Sequence, residues 1–169
     1  MSKVVVGVMG AGNLATPKDI ELAYELGKLI GEQGWVLLTG GRQAGVMDAA
    51  SRGAKASGGL VVGVLPSNNT VGMSDAVDIS IITDMGNGRN NINVLSSHVV
   101  IACGMGLGTA SEVALALKNG KPVILLNQAE LTKEFFASLT ANNLFNVETT
   151  TQAIAIIKKV LTRLKDDIC

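Results

Sequence analysis

The sequence is poor in histidine, cysteine and aromatic residues, with one histidine, two cysteines and 3% aromatics. The histidine, His98, falls at the entrance of a predicted strand. We therefore expect it to be structural, with neither a Ser-His-Asp triad nor a multi-histidine metal site in this chain. Cys103 and Cys169 lack the spacing of metal ligands and imply no disulfide framework. We predict no metal site built from protein side chains.

Net charge and long apolar runs are also missing. The chain has 14 basic and 14 acidic residues, so its net charge is zero, which argues against a broad nucleic-acid surface. No apolar run approaches the roughly 18 residues of a membrane span, and the first residues lack a basic-then-apolar signal. We expect a cytoplasmic protein that binds neither nucleic acid nor membrane.

What the chain does have is hydrophobic content suited to a core, with 47% hydrophobic and 17% charged residues over 169 positions. This composition predicts one folded ligand-binding domain over residues 1–169. Apolar runs that are continuous, not alternating, indicate strands buried on both faces of a parallel sheet. The predicted strands cover residues 3–9, 35–39, 60–65, 77–83, 98–102, 122–126 and 144–147.

Helical segments alternate with these strands, at residues 17–32, 46–57, 109–119, 130–139 and 149–164, and residues 86–95 form a connection that becomes helical. Alternating strands and helices predict an α/β fold. We expect a single-domain, doubly wound, Rossmann-like parallel sheet with helices on both faces.

The sequence contains capping motifs for two predicted helices. Thr16 is predicted to cap the first helix, with Pro17 at its first position and Asp19 in its first turn. Thr109 and Glu112 have the spacing of a capping box, in which Glu112 reaches back to the N–H of Thr109. Alternatively, Glu112 faces a ligand as an acid or base.

Glycine loops follow three of the predicted strands, at residues 10–12, 40–41 and 104–108. In a doubly wound sheet, ligands bind outside the carboxyl ends of the strands near the point where strand order reverses. Glycines let the backbone approach a ligand and aim helix N–H groups at it. We therefore predict an anion-binding corner at residues 103–109, with Arg42 and Arg89 as further anion ligands. The alternative for both arginines is a solvated surface position.

Residues 10–15 also fit the dinucleotide fingerprint G-x-G-x-x-[GA]. That site needs an acidic residue at the end of the second strand to bind the ribose. The second strand here ends in Thr39-Gly40-Gly41, without an acid. The sequence thus favours a plain turn or another kind of anion-facing loop.

The combination of motifs resembles the superfamily long mislabelled as lysine decarboxylase, over residues 4 to about 126. The motifs are Thr39-Gly40-Gly41-x-x-x-Gly45-Val46-Met47, Asp84-Met85 before Arg89, and Gly104-x-Gly106-x-Gly108-Thr109-x-x-Glu112. One branch, the LONELY GUY enzymes, cleaves cytokinin nucleoside monophosphates to the free base and ribose phosphate. Another branch, the molybdenum cofactor carrier proteins, holds that cofactor for storage and delivery.

The motif at residues 104–112 resembles that of the carriers more than that of the enzymes. The enzyme branch reads P-G-G-x-G-T-x-x-E, whereas this chain has Gly104 and Met105 at the proline and second-glycine positions. The enzymes also follow their arginine with lysine, where this chain has Asn90. Arg89 and Glu112 stand at the positions of the catalytic pair. The alternatives are therefore a nucleoside 5′-monophosphate phosphoribohydrolase that uses this pair, or a nucleotide sensor without turnover.

The carrier resemblance implies no catalytic residues and a pterin phosphate bearing molybdenum as bound cargo. It also implies molybdoenzymes as recipients and a homotetramer built from dimers, with a dimer as the alternative. The residues predicted to bind the cofactor lie in the glycine loops, at the adjoining strand and helix ends and at the two arginines. They are Gly10, Gly12, Asn13, Thr39, Gly40, Gly41, Arg42, Gly45, Met47, Arg89, Gly104, Met105, Gly106, Leu107, Gly108, Thr109 and Glu112.

Overall fold

The computed structural model of the chain describes residues 3–140 and 142–166. Its strands are β1 (Val5–Gly10), β2 (Val36–Thr39), β3 (Val61–Leu65), β4 (Ile79–Ile82), β5 (Val99–Cys103), β6 (Val123–Leu126) and β7 (Leu144–Val147). Its α-helices are α1 (Pro17–Glu32), α2 (Gly45–Ala56), α3 (Arg89–Leu95), α4 (Leu107–Lys118), α5 (Glu130–Leu139) and α6 (Thr150–Asp166). A 3₁₀ turn, Gly86–Gly88, leads into α3.

The strands form one parallel sheet in the order β4-β3-β2-β1-β5-β6-β7. The chain winds outward from β1 to β4, then crosses back to place β5 on the other side of β1. Gly10 lies beside Cys103 in the register of β1 and β5, so the loops after these two strands leave the sheet side by side. This arrangement confirms the predicted doubly wound fold and locates its switch point between β1 and β5.

Side chains of the central strands alternate between two apolar layers. Val6 and Val8 pack with α1, α2 and α6, whereas Met9 packs on the other face with α3, α4 and α5. All three strand residues are at most 2% exposed. The sheet therefore has helices on both faces, as predicted, and burial on both sides explains the continuous apolar runs.

The first helix starts as its sequence predicts. The Thr16 hydroxyl accepts a hydrogen bond from the Asp19 N–H at 3.1 Å, and the Asp19 carboxylate accepts one from the Thr16 N–H at 2.9 Å. Pro17 is the first helical residue. These reciprocal bonds satisfy backbone donors that a helix start otherwise leaves unpaired.

The edge of the sheet is more exposed to solvent than its central strands. Ile79, Ile81 and Ile82 of the edge strand β4 are between 41% and 49% exposed. Apolar residues of the predicted helix 149–164 recur at helical spacing, which predicts one buried face made of Ala153, Ile156, Ile157, Val160 and Leu164. In α6, Ala153, Ile157 and Val160 are buried and Ile156 is partly buried, in agreement with that prediction. The fifth residue of that predicted face, Leu164, has a side chain outside the described part of the structure. None of the described helices is both long and apolar enough to cross a membrane.

Candidate functional site

A cavity of about 290 Å³ opens at the switch point, between the loops that follow β1 and β5. The loop from Gly10 to Leu14 forms one wall and the first turn of α4 another. The end of β2 and the start of α3 add Gly40 and Arg89. The cavity therefore lies where ligands bind in doubly wound folds.

Most of the predicted cofactor-binding residues line this cavity, which means that loops distant in sequence converge on one site. Those in the lining are Gly10, Gly12, Asn13, Gly40, Arg42, Met47, Arg89, Gly106, Leu107, Gly108, Thr109 and Glu112. Their proximity to one another is a structural fact, and their binding of a cofactor remains a prediction.

Five predicted residues lie behind the lining instead. The fully buried Thr39 accepts a hydrogen bond from the Gly41 N–H at 3.1 Å. Gly41, Gly45 and Gly104 all have positive φ, and a Cβ at any of them would collide with neighbouring protein atoms. These glycines allow close packing of the loops, so their effect on the cavity is indirect.

Met105 is the fifth residue that the structure does not bring to the cavity. It is half-buried and packs against the apolar cluster that contains Val100 and Val113. The side chain at the second-glycine position of the enzyme pattern therefore does not line the cavity.

Six lining residues were not predicted: Val8, Met9, Ala11, Leu14, Asn87 and Asn90. The first four flank the predicted glycines of the β1 loop, so the wall extends along the chain on both sides of that motif. Asn87 and Asn90 flank Arg89 in the same way. Asn90 could have been singled out from the sequence, because it stands where the enzymes of the resembling branch have lysine.

The predicted capping box at Thr109 is wrong. Helix α4 begins at Leu107 with Gly106 as its N-cap, and no side chain caps it. Gly104, with φ of +69°, turns the chain so that the helix starts before Thr109. A helix start without a capping side chain leaves N–H groups unpaired and partly positive. Those of Leu107 and Gly108 belong to cavity-lining residues, so this turn suits an anion.

Glu112 is the residue for which the sequence left two roles open. It is 7% exposed, lines the cavity and accepts a hydrogen bond from Asn93 Nδ2 at 2.8 Å. Burial raises the pKa of its carboxyl, while the bond from Asn93 and the positive charge of Arg89 counteract that rise. Glu112 is thus not a helix cap but a buried acid that faces the ligand site.

Arg89 is buried at the base of α3, with 8% exposure. Its guanidinium donates to Asn90 Oδ1 at 3.0 Å and to the Gly40 carbonyl oxygen at 3.4 Å, while Nε has no partner among the described residues. Burial lowers the pKa of Arg89, the charge of Glu112 opposes this, and the charge of Arg42 adds to it. No described carboxylate lies within salt-bridge distance of Arg89, so this buried cation has no anionic partner from the protein.

Comparison with known proteins identifies the family. The family described as the SLOG cluster4 family matches residues 3–157. The chain belongs to the SLOG cluster4 family. This agrees with the superfamily that the motifs resemble.

Two solved structures are similar to this SLOG cluster4 protein over nearly its full length. A molybdenum cofactor binding protein from the phototrophic bacterium Rippkaea orientalis is 60% identical, with a TM-score of 0.94, and the match covers 95% of this chain and 99% of that one. The molybdenum cofactor carrier protein from Chlamydomonas reinhardtii is 49% identical, with a TM-score of 0.91 and the same coverage.

A curated enzyme is a more distant relative. The cytokinin riboside 5′-monophosphate phosphoribohydrolase of Mycobacterium tuberculosis is 32% identical over 131 residues, which are 72% of this chain and 70% of the enzyme. Both branches named by the sequence resemblance are therefore represented among the relatives of this family member.

The arrangement in this SLOG cluster4 chain suits binding of an anion. Two arginines and an uncapped helix start line a cavity whose only acidic side chain among the described residues is Glu112. No group of three or more described His, Cys, Asp or Glu side chains is placed to hold a metal ion. His98 lies elsewhere, where its Nδ1 accepts a hydrogen bond from the Val5 N–H at 3.1 Å, so its predicted structural role is confirmed.

Proposed function

We propose that this protein is a molybdenum cofactor carrier, which binds, protects and delivers a pterin phosphate that bears molybdenum. The observation that carries the proposal is the 60% identity, over almost the whole of both chains, to a molybdenum cofactor binding protein. The switch-point cavity supports it independently, because two arginines and the start of α4 line one space.

The cavity residues match the chemistry of such a cargo, which has a terminal phosphate and an anionic molybdenum-oxo end. Arg42 and Arg89 can make charge-assisted hydrogen bonds to oxyanions, which are stronger than bonds between neutral groups. The N–H groups at the start of α4 and the Thr109 hydroxyl add further donors to the cavity lining. A carrier needs such binding without bond breaking, so no residue is assigned a catalytic role.

A phosphoribohydrolase is the second candidate, and one observation favours it. Arg89 and Glu112, which stand at the positions of the catalytic pair in the enzymes, line the same cavity. The raised pKa of Glu112 is the direction that a general acid requires. Against this candidate, Asn90 replaces the lysine of the enzyme pattern.

Native mass spectrometry of protein from cells that make the cofactor distinguishes these functions. A co-purifying pterin with molybdenum supports the carrier, whereas a bound nucleotide supports the hydrolase or a sensor without turnover. In parallel, release of free base from AMP is measured for the parent and for Glu112→Gln. Parent turnover of roughly one per second or more, reduced a hundredfold or more in Glu112→Gln, would contradict the carrier proposal.

We further propose that the carrier is a homotetramer built from dimers and that it delivers the cofactor to molybdoenzymes in the cytoplasm. Exposed apolar side chains on the edge strand support self-association, because Ile79, Ile81 and Ile82 lie uncovered in the isolated chain. Native mass spectrometry measures the oligomer directly. Ile81→Lys should shift it toward smaller species, whereas Thr151→Lys, at an exposed polar residue of α6, serves as the control.

A further inference from the structure

The side chain of Asn90 lies between the cavity arginine and the first turn of α4. It is 7% exposed and lines the cavity. Its Oδ1 accepts a hydrogen bond from Arg89 Nη1 at 3.0 Å, and its Nδ2 donates to Ser111 Oγ at 2.8 Å. Ser111 Oγ in turn donates to the Gly108 carbonyl oxygen at 2.7 Å. A continuous chain of hydrogen bonds therefore links Arg89 to α4.

This chain fixes the orientation of the amide. A serine hydroxyl has one proton, and Ser111 donates it to Gly108, so its remaining capacity is to accept. The atom of Asn90 that faces Ser111 must then be the amide nitrogen. The amide oxygen is consequently directed at Arg89, where it accepts from a guanidinium that can only donate.

The guanidinium is thereby held by two uncharged acceptors, Asn90 Oδ1 and the carbonyl oxygen of Gly40. A carboxylate is available nearby, because Glu112 lines the same cavity and each group's charge affects the other. No described salt bridge joins them. Neutral acceptors leave the charge of Arg89 uncompensated, and a buried cation without an anionic partner favours an anionic ligand.

We infer that Asn90 is a positioning residue that holds Arg89 apart from Glu112 and so keeps its guanidinium free for an anionic group of the ligand. The inference deepens the proposed function and rests on it only in requiring that the cavity bind an anion. It predicts that affinity for an anion depends on both the hydrogen-bonding capacity and the neutrality of the side chain at residue 90.

The test uses inorganic phosphate as the probe, with affinity measured by calorimetric titration of the full chain. Asn90→Asp has nearly the same shape but supplies a carboxylate to Arg89, so we expect phosphate to bind at least tenfold more weakly, on the scale of a lost charge-assisted bond. Asn119→Asp introduces the same charge at the far end of α4, about 18 Å from the first turn, and should bind as the parent does.

Asn90→Ala separates positioning from simple loss of structure. Without Asn90, Arg89 is free to pair with Glu112, so we expect phosphate affinity to fall roughly tenfold. Adding Glu112→Gln removes the competing carboxylate and should restore most of that affinity. The same addition should not restore Asn90→Asp, whose carboxylate remains beside Arg89. A purely structural role for Asn90 predicts no such selective rescue.

Ser111→Ala is an exposed, milder change for use if the Asn90 variants do not fold, which their thermal unfolding would show. It frees the amide to rotate and should weaken phosphate binding by about threefold, again with rescue by Glu112→Gln. Unchanged affinity in the folded variants, absence of rescue, or a parent that does not bind phosphate would overturn the inference. The proposed function is judged separately, by whether the parent retains the cofactor in native mass spectra.

Discussion

A methyl group added at Gly108 should strengthen the fold and weaken ligand binding at once. Gly108 is the second residue of α4, it lines the cavity, and a Cβ built there meets no protein atom within 4 Å. Its φ lies outside the left-handed region, so alanine adopts the same backbone without strain. The methyl group would therefore occupy space that only a ligand uses.

The two effects have different magnitudes. Replacing a helical glycine with alanine at a compatible position stabilises a protein by roughly 0.5–1 kcal/mol, chiefly by reducing the freedom of the unfolded chain. For a chain of this size, that corresponds to a rise in Tm of about 1–4 °C. Holding an anion away from the α4 N–H groups costs about 1.5–3 kcal/mol for each charge-assisted bond lost. Affinity should then fall roughly 10- to 150-fold.

Thermal unfolding of the ligand-free protein gives the first effect, and native mass spectrometry of retained cofactor, with phosphate titration, gives the second. Gly88→Ala is the matched control: its Cβ would make only ordinary contacts with Met85, and Gly88 is not in the lining. If Gly108→Ala binds ligand as tightly as the parent, the α4 start is not the anion site. If it also lowers Tm, the backbone argument fails.

Three further predictions test the site and the fold. Arg42→Ala should weaken phosphate binding by roughly 1.5–3 kcal/mol in calorimetric titration while leaving Tm nearly unchanged, because Arg42 is exposed and makes no ion pair with a described residue. Since burial raises the pKa of Glu112, its contribution to stability is present at low pH and is lost as pH rises through its folded-state pKa. Glu112→Gln should therefore have a higher Tm than the parent at neutral pH. This difference in Tm should shrink toward pH of about 4.3, the ordinary pKa of glutamate. An equal difference in Tm at every pH would contradict the prediction. Thr16→Ala should destabilise the fold by about 1 kcal/mol in denaturant unfolding, because it removes the bond to the Asp19 N–H, and Thr149→Ala, at the start of α6, offers a comparison.

The sheet could be predicted from sequence because its signals are local. Buried strands read as apolar runs, and each helix start or stop depends on a few adjacent residues, as at Thr16 and Pro17. The ligand-binding edge of the sheet could be predicted in the same way, because glycine loops follow three of the predicted strands. The position of the switch point, between β1 and β5, depends on the strand order, which no local pattern contains. Edge strand β4 differs from the central strands because all four of its residues are exposed although three of them are isoleucine, so its apolar sequence does not indicate burial within the chain.

The site was only partly predictable because its decisive contacts join residues far apart in the chain. Thr109 and Glu112 have the residue types and spacing of a capping box. That motif cannot show that the helix starts earlier, after Gly104 and Gly106. Nor can it show that Asn93, 19 residues away, draws Glu112 inward. Asn90 was likewise notable only as a departure from a pattern, until its bonds to Arg89 and Ser111 gave it a role.

The proposed anion site lies in a chain of zero net charge, so it requires that charge be distributed unevenly around the cavity. Glu112 is the one acidic side chain in the described cavity lining. Burial raises the pKa of its carboxyl, and that carboxyl already accepts a hydrogen bond from Asn93. Among the described residues, the hydrogen-bond acceptors of Arg89 are uncharged, so no described carboxylate cancels its charge. The α4 backbone adds partial positive charge without any side chain. We therefore expect affinity for an anion to arise from the absence of compensating negative charge inside the cavity, which the amino-acid composition does not reveal.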